Sequence, residues 1–247
     1  MKSNCLLTHG LVAVLLLIAM PLQAATITAN QDTHLSFSQP PRLSEAVLAA
    51  AQSQQRVLDD VYWPAAGLYR KDSQNADRIA DLQPVRHQIT VNTGKTQQQW
   101  KRLYRTLTQL TVAERINRNI DPDFTRITPA ANPLLNGTWH LQLPHRPTTI
   151  MVLGDVKQPG EYAFTERQSV RRYLEQAGAE TTGISQALII MPSGERSHVP
   201  IAYWNERHQD LLPGSIIYLP LPEKAIDGFA VDTNEHVLTY LQNRLIR

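Results

Sequence analysis

The sequence predicts an α+β fold in which one plan is used twice, and two observations carry that prediction. The first is the order of periodicities between residues 150 and 219. An apolar run through Val156 is a strand, Lys157-Gln158 are polar, and Pro159-Gly160 suits the centre of a type II turn. Tyr162 and Phe164 then alternate with polar neighbours, as a half-buried returning strand does. Val170, Tyr173, Leu174 and Ala177 fall at i, i+3, i+4 and i+7, one face of a helix over 169–177 that Gly178 stops. Strands follow at 187–191 and 197–201, separated by the turn Pro192-Ser193-Gly194, with a last strand at 215–219. Hairpin, helix, hairpin, strand is the order of a β-grasp domain, a mixed sheet wrapped on one helix.

The second observation is that the front half begins the same way. Thr26-Ile27-Thr28 and His34-Leu35-Ser36-Phe37 read as a hairpin ended by Pro40-Pro41. Ser44 is placed to cap a helix over 44–54, with Ala46, Val47, Ala50 and Ala51 on one apolar face. A Tyr-Trp pair, Tyr62-Trp63, follows in this half, as Tyr203-Trp204 does in the other.

Ahead of both lies a targeting segment. Lys2 supplies positive charge, an unbroken apolar run covers 11–19, Pro21 breaks it, and Leu22-Gln23-Ala24 offers a cleavage site. The run is shorter than the ~20 residues of a spanning helix, so the expectation is a cleaved signal peptide over 1–24 and a periplasmic mature chain. An uncleaved anchor is the alternative. Cys5, the one cysteine, precedes the run and so cannot end a lipoprotein signal. A mature chain from Ala25 then has no disulfide and is held by its core alone.

Between Asp72 and Leu110 the plan is interrupted. Trp100, Leu103, Tyr104, Leu107 and Leu110 form one stripe of a helix over 97–110, and residues 75–89 read as its partner, with Pro84 breaking or kinking it. The segment at about 72–112 is therefore read as a helical insertion in the first domain, its stripe being core packing. Gly137 to Leu143 alternates as that domain's closing strand, and Pro144 to Pro147 is a hinge. The expected organisation is domain 1 over 25–146, domain 2 over 147–222 and an amphipathic tail over 223–247. In the tail, Asp232-Thr233-Asn234-Glu235 is close to a capping box. Val237, Leu238, Leu241 and Leu245 make its apolar stripe, which either docks on the chain's own domains or meets a partner.

These residues carry a resemblance. V-x-G-x-V-x-x-P-G-x-Y at 152–162, a helix ending Ala177-Gly178, and Pro213-Gly214-Ser215-Ile216-Ile217-Tyr218 resemble the soluble-ligand-binding β-grasp module of polysaccharide export proteins. A wider set resembles the capsule biosynthesis GfcC family across essentially the whole mature chain. It comprises Arg115, Asp121-Pro122-Asp123-Phe124 with Arg126, Asn132-Pro133, the 152–162 hairpin, and Tyr203-Trp204-Asn205 with Arg207-His208. Tyr62-Trp63-Pro64-Ala65-Ala66 stands where the family has Trp-Trp-Pro-Gly-Ala, and Glu206 where it has a Lys. The resemblance implies a periplasmic protein with two β-grasp domains, a helical insertion in the first and an amphipathic C-terminal helix, serving capsule or exopolysaccharide operons.

Chemistry is thinly represented. The formal net charge is +2 with acids and bases interspersed, which gives no electrostatic case for nucleic acid. No Ser sits in a Gly-x-Ser-x-Gly elbow, and no Gly-rich loop precedes Lys-Ser or Lys-Thr. His140 and His145 are close, but Pro144 lies between them and no acidic third ligand is near, so neither a metal nor a cofactor is expected. Asp121 and Asp123 either form a carboxylate pair for glycoside cleavage or cap a turn.

The expected function is a non-catalytic, monomeric accessory of polysaccharide export that binds glycan or the outer-membrane export channel. The alternatives are a glycan-modifying enzyme using Asp121, Asp123 or His208, and a purely structural export partner. The candidate ligand site is Arg115 with Tyr62, Trp63, Asp121 and Asp123. Arg115 opens the return strand where the insertion ends, and Tyr62-Trp63 enter from the insertion's other end, so a cleft at that rim would hold an acidic or phosphorylated sugar between guanidinium and rings. Alternatively Arg115 pairs with Asp121 or Asp123 and fixes the loop. The candidate partner surface is Leu238, Leu241 and Leu245.

Overall fold

The computed structural model describes residues 24–30, 32–70, 81–116, 119–180, 185–202, 204, 209–225 and 232–246. The segment up to residue 23, where a signal peptide is expected, the start of the insertion, Tyr203 and Asn205-Glu206-Arg207-His208 lie outside these residues.

Two five-stranded mixed sheets are built on the same order. Sheet 1 contains β1 (Ala25–Ala29), β2 (Thr33–Phe37), β3 (Gly67–Arg70), β4 (Glu114–Ile116) and β5 (Gly137–Gln142), arranged β2-β1-β5-β3-β4. Sheet 2 contains β6 (Thr149–Gly154), β7 (Gly160–Ala163), β8 (Gln186–Ile190), β9 (Arg196–Pro200) and β10 (Ile216–Leu219), arranged β7-β6-β10-β8-β9. In each, the first and last strands pair in parallel at the centre and every other pairing is antiparallel. This is the two-fold β-grasp architecture that the sequence predicts.

Each sheet wraps one helix. Against sheet 1 lies α1 (Leu43–Ser53), which puts Leu43, Ala46, Val47, Ala50 and Ala51 on Ile27, Leu68 and Leu141. Three of the five are alanines, so the helix axis sits close to the sheet. Ser44 is not the cap: the helix starts one residue earlier, after Arg42, whose N–H donates to Glu45 Oε2 at 2.8 Å. The next two orphan donors are met from across the fold. Leu43 N donates to Pro133 O at 3.0 Å and Ser44 N to Asn132 Oδ1 at 2.9 Å. Asn132-Pro133 thus caps a helix some ninety residues upstream.

On sheet 2, α2 (Val170–Gln176), capped by the Ser169 hydroxyl on Arg172 N, packs Val170, Tyr173 and Leu174 against Ile150, Val152, Ile189 and Ile217. The V-x-G of the first hairpin has a steric reason. Gly154 has φ 95°, and a Cβ there would stand 1.7 Å from the Leu219 carbonyl oxygen on neighbouring β10. The type II turn lies elsewhere than the sequence suggests. Gly160 has φ 155°, far from the roughly +80° of such a turn, and is already paired with Val152 as the first residue of β7. Pro213-Gly214 fits instead, with Gly214 at φ 87° and Ser215 N donating to Leu212 O at 3.0 Å.

The insertion between β3 and β4 contains α3 (Gln83–Val91) and α4 (Gly94–Gln109). Pro84 neither breaks nor kinks α3, because it falls in the first turn, where a missing N–H costs nothing. Sheet 1 does not receive the insertion's stripe. Leu82, Val85, Trp100, Leu103 and Leu107 join Leu153, Leu188, Ile190, Ile216 and Tyr218 on the second face of sheet 2. Two polar anchors fix this docking. Trp100 Nε1 donates to Pro222 O at 2.9 Å, and the buried Gln88 amide both donates to Lys224 O at 2.7 Å and accepts from Lys224 N at 2.9 Å.

A short helix, α5 (Pro122–Ile127), follows β4, and the chain ends with α6 (Thr233–Gln242), capped by Asp232 on Glu235 N at 2.9 Å. Helix α6 completes the cover of sheet 2 with Val237, Leu238, Tyr240 and Leu241. Arg196 on β9 holds it by donating to Glu235 at 2.7 Å and to Thr239 at 2.9 Å. Leu238 and Leu241 are 1% and 0% exposed, so the partner surface expected of them is instead an internal docking face. Leu245 lies beyond the helix end and pairs by its N–H with Thr111 O at 2.9 Å.

Candidate functional site

Where the two sheets approach, a cleft of about 600 Å³ opens. One wall is the turn before β3, with Trp63, Pro64 and Ala66. Arg115 of β4 forms the floor, continued by Asn119, Ile120 and Asp121 on the way to α5. The far wall belongs to sheet 2: Ser193, Gly194 and Glu195 of the β8–β9 turn, with Gln242 at the end of α6. Gln242 Nε2 donates to Gly194 O at 2.6 Å, tying that wall together. Among the described residues none from the insertion lines the cleft, and the cleft's described walls come from the two sheets and their turns.

Arg115 holds the two sides together. Its Nη1 donates to Tyr69 Oη at 3.2 Å and to Pro192 O of sheet 2 at 2.8 Å, and its Nη2 donates to Ala66 O at 3.1 Å. The guanidinium also lies 5.5 Å from the Tyr69 ring centroid. Its main-chain N–H donates to Asn243 Oδ1 at 2.9 Å. The pairing with Asp121 or Asp123 is not formed. Three of the five guanidinium donors are spent on neutral oxygens from both sides of the cleft. Tyr69, fully buried, has its pKa raised by desolvation, with Arg115 and Arg244 opposing.

Trp63 and Asp121 join Arg115 in the cleft; Tyr62 and Asp123 do not. Tyr62 is turned inward against Ala65 and Ile246, with the Arg146 guanidinium 5.6 Å from its ring centroid. Burial raises its pKa and Arg146 works against that rise. Asp123 has a side chain 92% exposed and stands 3.9 Å from Arg126. Asp121 caps α5, its Oδ1 accepting from Asp123 N at 2.9 Å. The Asp121–Asp123 pair is thus a cap and its helix's first turn, as the capping alternative has it. His140 and His145 have separate partners: His140 meets Gln142 Oε1 at 3.1 Å on β5, and His145 meets Arg56 Nη2 at 3.3 Å.

Sequence reasoning misses the far wall. Ser193 and Glu195 read as an ordinary hairpin turn, and no periodicity says which loop of one domain faces another. In composition the cleft offers an indole face, two amides, two carboxylates and a hydroxyl. That set matches a hydroxyl-rich ligand with an apolar face.

A chain with two β-grasp sheets, a helical insertion, a docked C-terminal helix and an inter-sheet cleft defines the class of protein. Residues 23–146 match the family model described as Capsule biosynthesis GfcC, N-terminal, and residues 158–246 match Capsule biosynthesis GfcC C-terminal. The chain belongs to the capsule biosynthesis GfcC family. It is 31% identical over 206 residues to the uncharacterized protein YjbG of Escherichia coli (strain K12), a match covering 81% of this chain and 73% of that protein.

Proposed function

We propose that this protein is a non-catalytic periplasmic accessory of capsule or exopolysaccharide assembly and export, and that it binds a segment of the glycan in the cleft between its sheets. Family membership supports the role in assembly. The observation that carries the binding reading is the cleft itself, about 600 Å³ with Trp63 on one wall and Asn119, Asp121, Glu195 and Gln242 around it. Sugar recognition needs that combination: a ring face for the C–H side of a pyranose, and planar amides and carboxylates for its hydroxyls. Arg115 contributes rigidity more than charge, because most of its donors are engaged. The cleft therefore favours a hydroxyl-rich segment over a densely phosphorylated one.

The test is equilibrium binding of oligosaccharides from the host's own polymer, followed by tryptophan fluorescence. Saturable binding that Trp63→Ala weakens roughly tenfold, about 1.4 kcal/mol, is expected. Cleavage of the oligosaccharide would instead support the glycan-modifying alternative. Neither binding nor cleavage would leave the structural export partner, with the outer-membrane export channel as the candidate contact.

A further inference from the structure

A second cavity, of about 240 Å³, lies where β6, the end of α4 and the C-terminal tail meet. Its polar wall holds Arg244, Glu161, Thr149 and Thr111, and its apolar wall includes Met151 and Leu245. Arg244 Nη2 donates to the Gly214 carbonyl. Among the described residues its Nε and Nη1 donate to nothing, and no carboxylate lies within ion-pair distance of it. Desolvation pulls its pKa down to about 10, while Tyr69 and Glu161 pull the other way. Arg244 is half-buried and lines this space with guanidinium donors to spare, so a partner that offers a charged oxygen would gain charge-assisted hydrogen bonds there.

The rest of the wall narrows what that partner is. Glu161 faces the same space and is engaged only weakly, accepting from Thr149 Oγ1 at 3.4 Å. A dianion would be repelled by it, and an apolar acid would leave it and Thr149 without donors. A monoanion that also carries hydroxyls satisfies both sides. The volume is below the ~300 Å³ at which drug-sized pockets begin, so it suits a single ring.

We infer that this cavity is a second saccharide site, taking one carboxylate-bearing pyranose of the uronic acid class, with its carboxylate on Arg244, its hydroxyls on Glu161 and Thr149, and its apolar face on Met151 and Leu245. The site shares no lining residue with the inter-sheet cleft and does not rest on glycan binding there.

Methyl NMR of the full chain labelled at methionine tests this, with Met151 as the reporter in the cavity and Met191, outside it, as the control. Glucuronate should shift the Met151 methyl saturably with a Kd of roughly 1 mM, whereas glucose and acetate should each bind at least about tenfold more weakly, lacking the charge-assisted pair or the ring. Arg244→Lys should weaken glucuronate roughly tenfold by removing the planar fork, and Trp63→Ala should leave the Met151 response unchanged. A Met151 methyl indifferent to glucuronate overturns the inference, and so does an equal response to acetate or to glucose. If the Arg244→Lys chain does not fold, the three titrations of the unaltered chain still decide.

Discussion

Along β10 of sheet 2, successive residues alternate between two cores. Ile217 and Leu219 face α2, whereas Ile216 and Tyr218 face the insertion and α6. Along β5, which holds the same position in sheet 1, Leu141 faces α1 while His140 and Gln142 face the other way. The register extends this polar line into a row across all five strands: His34, Thr28, His140, Tyr69 and Arg115 are successive neighbours. One plan therefore yields two kinds of sheet, one covered by apolar side chains on both faces and one whose second face is polar even where Thr28, Tyr69 and Gln142 are buried. The difference explains where the insertion goes. It leaves β3 and β4 of sheet 1, but its apolar stripe finds its match on sheet 2, because Leu153, Leu188, Ile190 and Ile216 offer apolar surface there, whereas the back of sheet 1 presents the polar Thr28, His140 and Gln142. The edge where the polar row ends, at Tyr69 and Arg115, meets the second sheet and becomes the cleft floor.

Breaking the near face of sheet 2 should have the largest effect. Leu174 is 0% exposed between α2 and the sheet. Leu174→Asp removes a packed side chain and buries a carboxylate without a partner, at a cost of roughly 4 kcal/mol or more. Against a typical total of about 5–15 kcal/mol, this should abolish the cooperative unfolding of that half in calorimetry. An unchanged thermal transition would mean that the helix face is wrongly assigned.

The far face should be less sensitive. Leu241 is 0% exposed, but α6 is terminal and presents Glu235, His236 and Thr239 to solvent. Leu241→Glu can release the helix and let the carboxylate reach water, so its cost is capped by the docking energy of α6, about 3 kcal/mol. Hydrogen exchange should rise first in α6 and then at β8 and β10, while β1 and β5 stay protected. Uniform loss of protection in both sheets would show that the two units do not differ in the way their cores suggest.

What the sequence makes legible follows from what each pattern encodes. Period-2 and period-3.6 stripes specify a face, so the strands of sheet 2, β1, β2 and β5 of sheet 1, α1, α2 and the stripes of α4 and α6 are read correctly to within a few residues, whereas the four-residue β3 and the six-residue α5 are too short to show a period and are missed. A stripe does not name its partner, and for that reason the insertion's destination and the docking of Leu238 and Leu241 are not legible from α4 or α6 alone. The signal was present elsewhere: the unbroken apolar run of β10 is what a strand buried on both faces looks like, and it asks for a second cover. Of the site, Arg115, Trp63 and Asp121 are found because they flank the insertion, although no described residue of the insertion lines the cleft. Ser193 and Glu195 come from a tight turn in the other domain, and only the packing of the sheets brings them in. Tyr62 illustrates the limit: in the turn at Tyr62-Trp63, one ring goes inward and its neighbour goes to the cleft.

The finest test of the comparison is at the point where the two sheets touch. Arg115→Lys keeps the positive charge and loses the planar fork, so it cannot reach Ala66 O, Tyr69 Oη and Pro192 O together. The hydrogen bonds lost are charge-assisted but partly recovered by the ammonium and by water, so the expected destabilisation is about 1–2 kcal/mol. Because Ala66 belongs to one side and Pro192 to the other, the effect should fall on their mutual positioning more than on either core. Both sheets should retain their hydrogen-exchange protection, while the β8–β9 turn exchanges faster and oligosaccharide affinity in the cleft falls with it. A chain of full stability and undiminished oligosaccharide binding would show that Arg115 neither clasps the sheets nor shapes the cleft, and the polar edge of sheet 1 would then have no role in bringing the two units together.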